Sequence, residues 1–518
     1  MQMEPVADLL QSDFALISDL IRQHAAKAPR RRALVEGEQS LDYGALDILL
    51  DRVAAALQRD GLLVGDAIAI CAGMSIAYAA VFLGALRAGI VVAPLAPGAT
   101  AGSLIEMASD AQARMLFIDA GYPAPEAFAG TGVAVRITLD GSASGRAFDD
   151  WLAAPGQMPR AVQLEANSPF NIIYSSGTTG QPKGIVQSHG MRWAHVRRGK
   201  NYRYGAATVT VLSTPLYSNT TLVVFFPTLA FGGTVLLMHK FNALAYLQLA
   251  QRMRASHTML VPVQYQRIMA CDDFDSFDLS GFEVKFSTSA PFAAALKADV
   301  VKRWPGDLVE FYGLTEGGGT CILEAHRHPA KLHTVGKPAA GHDIRLIDEQ
   351  GQELAPGEPG EVVGHSPGMM LGYHRQPGKT REAEWFDPSG KRFIRTGDIG
   401  CFDEDGFLVL LDRKKDLIIS GGFNIYPSDL EAVLQRHADV REAAVVGVPS
   451  AQWGETPVAF VVGRPGCGVA ADDLLQWVNQ RVGKTQRLSA LQLLAELPRS
   501  AIGKVLKREL RDRYLTGS

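Results

Sequence analysis

The run YSSGTTGQPKG, residues 174–184, gathers the residue types that grip a polyphosphate. Seven of its eleven residues are Ser, Thr or Gly: Ser175, Ser176, Gly177, Thr178, Thr179, Gly180 and Gly184. They offer hydroxyl donors and backbone N–H groups that a ligand can approach closely, and Lys183 adds a point charge. The run is not a Walker loop, because the spacing G-x-x-x-x-G-K-[ST] is absent and Pro182 precedes the lysine. Apolar NIIY leads in and extended GIVQS leads out, which predicts a strand-loop-strand cradle rather than a loop that opens a helix.

Three other groupings invite chemistry and fail on spacing or on a missing N–H. GHSPG (364–368) fits G-x-S-x-G, but a nucleophile elbow takes an oxyanion-hole N–H from the residue after the serine, and here that is Pro367. His326, His328 and His333 with Glu324 lack helical metal-ligand spacing, and DEDG (403–406) lacks the twelve-residue calcium pattern and reads as a turn. The five cysteines (Cys71, Cys271, Cys321, Cys401, Cys467) are odd in number and never form C-x-x-C, so neither a disulfide framework nor a zinc module is expected, and a reducing cytoplasm fits.

The elements that must position the loop alternate. Apolar runs such as AIAIC (67–71), IVVA (90–93), RMLFI (114–118) and GVAVRI (132–137) are separated by helical stretches, and TVTVL, TVLLM, TMLV and EVKFS repeat the pattern between 208 and 287. That is the grammar of parallel sheets covered on both faces. After about Pro338 short strands and turns predict a small β subdomain, and from Asp412 the chain reads as a small α+β domain. The expectation is thus an α/β protein with a large N-terminal domain, 1–411, built of two α/β subdomains plus a small β subdomain, and a small α+β domain, 412–518. At 518 residues and a formal charge of -3 the chain can bury a large core and has no basic bias toward nucleic acid. The uncharged stretches Ala67 to Leu86 and Tyr204 to Met238 are broken by Gly73, Pro215, Pro227 and Gly232-Gly233, so no membrane span is expected.

Beyond the loop, YGLTEGG (312–318), RTGD (395–398), DRKKDLIISGGFNIYPSDLE (412–431) and PRSAIGKVLKREL (498–510) follow in order. Together the five motifs resemble the AMP-forming adenylate-forming superfamily of acyl- and aryl-CoA ligases, luciferases and peptide-synthetase adenylation domains, most closely the acid-CoA ligases. The resemblance implies roles residue by residue. Ser175 to Gly180 and Lys183 hold phosphates, Tyr312 stacks on adenine beside Gly313 and Ser289-Ala290-Pro291, Thr315 touches phosphate, and Glu316 holds Mg2+ brought in with ATP. Asp398 and Arg413 take the ribose, and Lys504 bridges the attacking carboxylate and the α-phosphate. Lys415 is the hinge, and Ser420-Gly421-Gly422 line the passage for coenzyme A, the co-substrate. Lys507, Arg508 and Arg511 read as solvated charges.

The family's acyl pocket falls on Tyr217, Ser218, Asn219, Thr288, Gly317, Gly318 and His333. Ser218 stands where many CoA ligases have histidine, Thr288-Ser289 replace two glycines, and Ala45 replaces a glutamate. Apart from Glu316 the pocket windows, 217–221, 287–290, 312–319 and 333–336, hold no Asp, Glu, Lys or Arg, which favours an aromatic or medium-chain monocarboxylic acid. The implied reaction is carboxylate, ATP and CoA to acyl-CoA, AMP and pyrophosphate. Its partners are small molecules only, and the expected form is a cytoplasmic monomer or homodimer. The alternative is an acyl-AMP ligase that loads a carrier-protein thiol, and a more distant one is a non-catalytic acyl or nucleotide binder.

Overall fold

The computed structural model describes residues 6–120, 133, 135–142, 145–175, 183–355, 357–413, 416–420, 423–450, 452–466, 468–483, 486–500 and 503–517. The chain forms two compact units. The first comprises Met1–Leu332, Pro338–Asp343 and Gly364–Ile394, and the second His333–Lys337, Ile344–Val363 and Arg395–Ser518.

The first unit has two sheets with helices between the strands, as the apolar runs require. One sheet places Gly317–Glu324, Asp307–Leu314, Val284–Ser287, His257–Leu260, Val209–Leu212, Thr234–Leu237, Arg32–Glu36 and Gln39–Asp42 side by side. The other runs Gly372–Tyr373, Lys183–Ser188, Pro169–Ser175, Val91–Pro94, Ala67–Cys71, Ala113–Ile118, Val135–Thr138 and Arg146–Ala147. The central pairs in both are parallel and their strands are buried along their length, for instance all five residues of Ala67–Cys71. A single core joins helices Tyr43–Arg59, Ile76–Arg87 and Asn219–Ala230 to the strands, with Phe82, Phe170 and Phe226 in mutual edge or tilted contact. Each sheet ends in an antiparallel hairpin, and these two hairpins carry the sequence motifs.

Pro227 does not cut its segment as the sequence suggests. The helix Asn219–Ala230 runs through it, with Phe225, Phe226 and Leu229 at 0% exposure. A proline there forfeits one backbone bond at about 3 kcal/mol, and burial of three large side chains offsets that. Among the described residues no helix is long and apolar enough to cross a membrane.

The second unit is built on the long hairpin Val440–Ser450 with Gly454–Gly463, extended by Ala490–Leu493 and Ile418–Ser420. Alternation along the hairpin sends Val445, Ala459 and Val461 against helices Pro427–Leu434 and Ala471–Asn479. Ala444, Val446, Val458 and Phe460 face the opposite way, onto Leu497 and Leu510 of the C-terminal segment. A second hairpin in this unit pairs Asp398 to Phe402 with Leu408–Arg413.

Candidate active site

The strand-loop-strand cradle is present as two antiparallel strands, Pro169–Ser175 and Lys183–Ser188, in which Ser175 lies opposite Lys183 and Tyr174 opposite Gly184. Ser176, Gly177, Thr178, Thr179 and Gly180 lie outside the described residues, so the structure speaks to the foot of the loop. That foot is clamped. Tyr174 donates its hydroxyl to Asp110 at 2.7 Å, and His374 stands 3.7 Å from the same carboxylate. Burial opposes the charge on Asp110, yet the bonds from His374 and Tyr174 hold its carboxyl below the usual range.

A short strand, Gly372–Tyr373, pairs with the outer edge of the loop's second strand. This brings Tyr373 to two expected site residues at once. The Lys183 ammonium stands 5.3 Å from its ring centroid, and its hydroxyl donates to Glu316 Oε1 at 2.9 Å. Burial and the neighbouring Glu316 carboxylate together push the Tyr373 phenol up, so it stays a proton donor.

Tyr312 and Gly313 lie on strand Asp307–Leu314, and Thr315 and Glu316 form the turn into Gly317–Glu324. Two glycines shape this turn. Gly317 has φ +81°, and a Cβ there would come 2.1 Å from the Gly368 carbonyl oxygen. Gly318 has φ +73° and meets Gly364 O and Ile394 at 3.1 Å. Both therefore have a backbone role besides any room they leave for substrate.

Behind the turn lies a buried polar cluster that the sequence windows missed. Arg192, Gln187 and Asn171 are each at 0% exposure. Arg192 donates to Asn171 Oδ1 at 3.1 and 3.2 Å, to Asn219 Oδ1 at 2.7 Å, and to Gln187 Oε1. Gln187 in turn donates to the Thr315 carbonyl at 2.6 Å. One guanidinium thus ties both strands of the phosphate hairpin, the start of helix Asn219–Ala230 and the Thr315 turn. Its partners are neutral amides, and burial pulls it down to about 9. No local pattern announces such contacts; an arginine at an interior position of a helix is the sole trace in sequence.

Ser218 caps that helix, accepting from Thr220 N at 3.3 Å, which gives the serine a structural use where the family often has histidine. Asn219 is its first residue, and Tyr217 precedes the cap, its phenol pushed up by burial. Across from it Thr288, Ser289, Ala290 and Pro291 follow strand Val284–Ser287. Ser289 adopts φ +80°, the left-handed region that suits glycine, and its hydroxyl lies 2.5 Å from that of Thr220.

In the second unit Asp398 and Arg413 face each other across the hairpin, with Nε to Oδ1 at 2.9 Å. His333 falls in this unit and is exposed, between half-buried Leu332 and buried Thr334. Lys504 sits in a tight reversal bridged between Arg499 and Val505: its N–H donates to Ser500 Oγ at 3.2 Å, and Ser500 N–H donates to its carbonyl at 2.8 Å. Arg499 closes the reversal on Gly503 O at 2.7 Å and pairs with Glu442. Lys507, expected to be a solvated charge, is instead paired with Glu431 at 2.8 Å. Burial opposes its charge, but Glu431 and Asp412 more than compensate and raise its titration. Lys415, Gly421 and Gly422 lie outside the described residues; Ser420 ends strand Ile418–Ser420.

Residues of the groupings set aside in the sequence have other partners. Ser366 accepts from Gly368 N at 3.2 Å within its own turn, His326 pairs with Asp307 at 3.3 Å, and Asp403 accepts from Asp405 N and Phe407 N to close the turn at DEDG. Among the described residues no group of three or more His, Cys, Asp or Glu is placed to hold a metal ion.

The AMP-binding enzyme family model matches residues 21–374, and the model of the AMP-binding enzyme C-terminal domain matches 429–504. A feruloyl-CoA synthase of an Amycolatopsis species is 30% identical over 498 residues, 95% of this chain and 98% of that one. The fatty acid–[acyl-carrier-protein] ligase ScoC of Streptomyces coeruleorubidus is 29% identical over 502 residues, 95% of each chain. Among solved structures, ATP-bound MatB from Rhodopseudomonas palustris superposes with TM-score 0.87 at 28% identity, over 96% of this chain and 99% of that one. The first match runs past the phosphate hairpin, the Thr315-Glu316 turn and Tyr373, and the second reaches Lys504, so the chain belongs to the AMP-binding enzymes, the adenylate-forming superfamily that its five motifs resemble.

Proposed function

We propose that the protein is an AMP-forming acid-CoA ligase acting on an aromatic or medium-length acid. The observation that carries the reading is the junction at Tyr373, where the phosphate-loop lysine and Glu316 meet one side chain. In the proposed first step a carboxylate oxygen of the acid attacks the α-phosphorus of ATP and pyrophosphate leaves. Lys183 and the loop hold the phosphates, Thr315 adds a hydroxyl, and Tyr312 flanks the adenine. Glu316, half-buried at the turn with one oxygen held by Tyr373, suits a hard cation that keeps most of its ligands from water and phosphate. Mg2+ bound there with ATP supplies charge neutralisation. Asp398 accepts the ribose hydroxyls with Arg413 fixing its orientation, and Lys504 steadies the negative charge that builds at phosphorus.

In the second step the thiol sulfur attacks the acyl carbon and AMP leaves. For this step we propose that the chain divides at Asp412, turns about Lys415, and presents Ser420-Gly421-Gly422 to a pantetheine arm that needs backbone without Cβ. The same thiol chemistry would serve a carrier protein, and the 95% mutual coverage with ScoC keeps that acceptor as the second reading. The test is acid-dependent exchange of labelled pyrophosphate into ATP across a panel of acids, followed by thioester formation with free CoA or a holo carrier protein. Exchange and CoA thioester are expected; thioester on the carrier alone overturns the choice of acceptor, and no exchange with any acid overturns the ligase reading.

A further inference from the structure

The sequence windows that favour a neutral pocket omit helix His189–Arg198, which runs beside the Thr315 hairpin. Its position is fixed at one end by Arg192, tied through Gln187 to the Thr315 carbonyl. Six residues later, about 9 Å along the axis at 1.5 Å per residue, comes Arg198. Its guanidinium lies 5.6 Å from the Phe311 ring centroid. Phe311 pairs with Ile322, and Thr320, two residues from Ile322, shares their face of the hairpin. Tyr202 completes this floor, its ring 5.7 Å from Phe311.

Two histidines border the same place. Thr320 N–H donates to His342 Nδ1 at 2.9 Å, and His195 Nδ1 is buried without a partner. Burial holds His195 far below its ordinary titration, with Arg198, Arg192 and His342 adding to the effect, yet part of its surface stays accessible. Arg198, Tyr202, Phe311, Thr320, Ile322 and His342 are likewise only partly covered. These side chains are therefore reachable rather than sealed in filled core. The carboxylates of the two strands are engaged elsewhere: Asp307 by Arg203 at 2.9 Å, Glu310 by Lys297, Glu324 by Arg327 at 3.3 Å, and Glu316 by Tyr373. Among the described residues no ion pair engages Arg198, whose own titration is lowered by burial.

From this geometry we infer that Arg198, flanked by His195 and His342, is a specificity-determining residue that binds a second carboxylate on the substrate, at the far end from the carboxyl that is activated at Thr315-Glu316. The inference rests on the ligase reading and deepens it: the acid has an aromatic or medium-length body, as the apolar floor of Phe311, Ile322 and Tyr202 suits, but its far end is anionic. A planar guanidinium takes a carboxylate in two parallel hydrogen bonds, and the partnerless Nδ1 of His195, when it carries the ring proton, donates a third. A neutral far end would leave that cation buried without a counter-charge.

The experiment compares matched acids in pyrophosphate exchange with the full-length enzyme: 4-carboxycinnamate against cinnamate, and octanedioate against octanoate. The native chain should favour each dicarboxylate at least tenfold in kcat/KM. In Arg198→Met that ratio should fall to about one or below, and Arg198→Lys should recover part of it. If cinnamate and octanoate outrun their carboxylated partners in the native enzyme, the inference is overturned while exchange itself upholds the ligase reading. If the ratio in Arg198→Met stays at the native value, a different group reads the far carboxylate and Arg198 is the wrong residue. A variant that loses all exchange through misfolding does not blur the result, because the native ranking decides alone. Absence of exchange with every acid overturns the ligase reading and the inference with it.

Discussion

Arg192 carries a charge into a core where its hydrogen-bond partners are neutral amides, and that is an expensive arrangement to keep. Its use is geometric: the fork reaches three elements at once, which a lysine cannot do. Arg192→Met leaves the oxygens of Asn171, Asn219 and Gln187 without their donor, at about 1–3 kcal/mol each before relaxation. The expected result is a stable loss of several degrees in Tm together with a fall in kcat for pyrophosphate exchange larger than the rise in KM for the acid, because the Thr315 turn loosens. Arg192→Lys should recover part of the stability and little of kcat; full recovery of both would show that charge alone matters. His189 offers a pH test. Burial holds this ring down to about 4, and it packs on Phe170 at 4.8 Å. Above about pH 6.5 the ring is neutral in both folded and unfolded chains. As pH falls from 6.5 toward 4 the unfolded chain takes the proton and the folded one does not, so stability drops, by up to about 3 kcal/mol from this residue. His189→Phe should flatten the acid limb of a stability-against-pH curve; an unchanged limb would place the acid sensitivity in other groups.

At the scale of elements, the Thr315 hairpin and the loop after Val284–Ser287 show how backbone conformation constrains the motifs. Ser289 holds φ +80° at about 1 kcal/mol of strain and regains a similar amount through Thr220. Ser289→Gly, which relieves the strain as it loses the bond, should be near neutral in thermal melts, whereas Ser289→Ala keeps the strain and should cost about 1 kcal/mol. Equal effects would mean that the left-handed backbone at Ser289 carries no strain. Gly317→Ala should be severe, since its Cβ would have to displace the Gly368 carbonyl. Much of this level was legible in the sequence. Apolar runs separated by helices announced the two parallel sheets, and the lead-in NIIY and lead-out GIVQS announced the phosphate hairpin, because burial on both faces and strand propensity are local properties. Tyr373, Gln187 and Arg198 were not legible. Tyr373 meets Glu316 across 57 positions and only because a two-residue strand docks on a sheet edge, and Arg198 lies beside Phe311 only once a helix has packed on a hairpin more than a hundred residues away. Such contacts follow from the closed fold and leave no spacing to read.

At the scale of the whole molecule, the chain divides its chemistry between two units with separate cores. The phosphate hairpin, the Thr315-Glu316 turn and Tyr373 belong to the first, and Asp398, Arg413, Ser420 and Lys504 to the second. In the proposed reaction, two different attacking groups give a reason for carrying Lys504 on a unit other than that of the loop and the Thr315-Glu316 turn. The charge at phosphorus needs a cation only while pyrophosphate is leaving, and the same cation would occupy space when a thiol must reach the acyl carbon. In the proposed reaction Lys504 is suited to be presented and withdrawn as a piece, because Ser500, Arg499 and Gly503 tie its backbone into a small local reversal. Lys504→Ala is therefore expected to slow adenylate formation on the order of 10²–10³, the usual worth of one well-placed donor, while conversion of a chemically supplied acyl-adenylate to thioester stays within a few-fold of native. Gly422→Leu is the mirror case: exchange should persist, and thioester formation should fail because a side chain fills the path of the pantetheine arm. Single-turnover measurements of each half-reaction in each variant distinguish the possibilities. If Lys504→Ala slows both halves alike in a folded enzyme, the lysine serves a single arrangement of the active site and the proposed turn about Lys415 has no kinetic support.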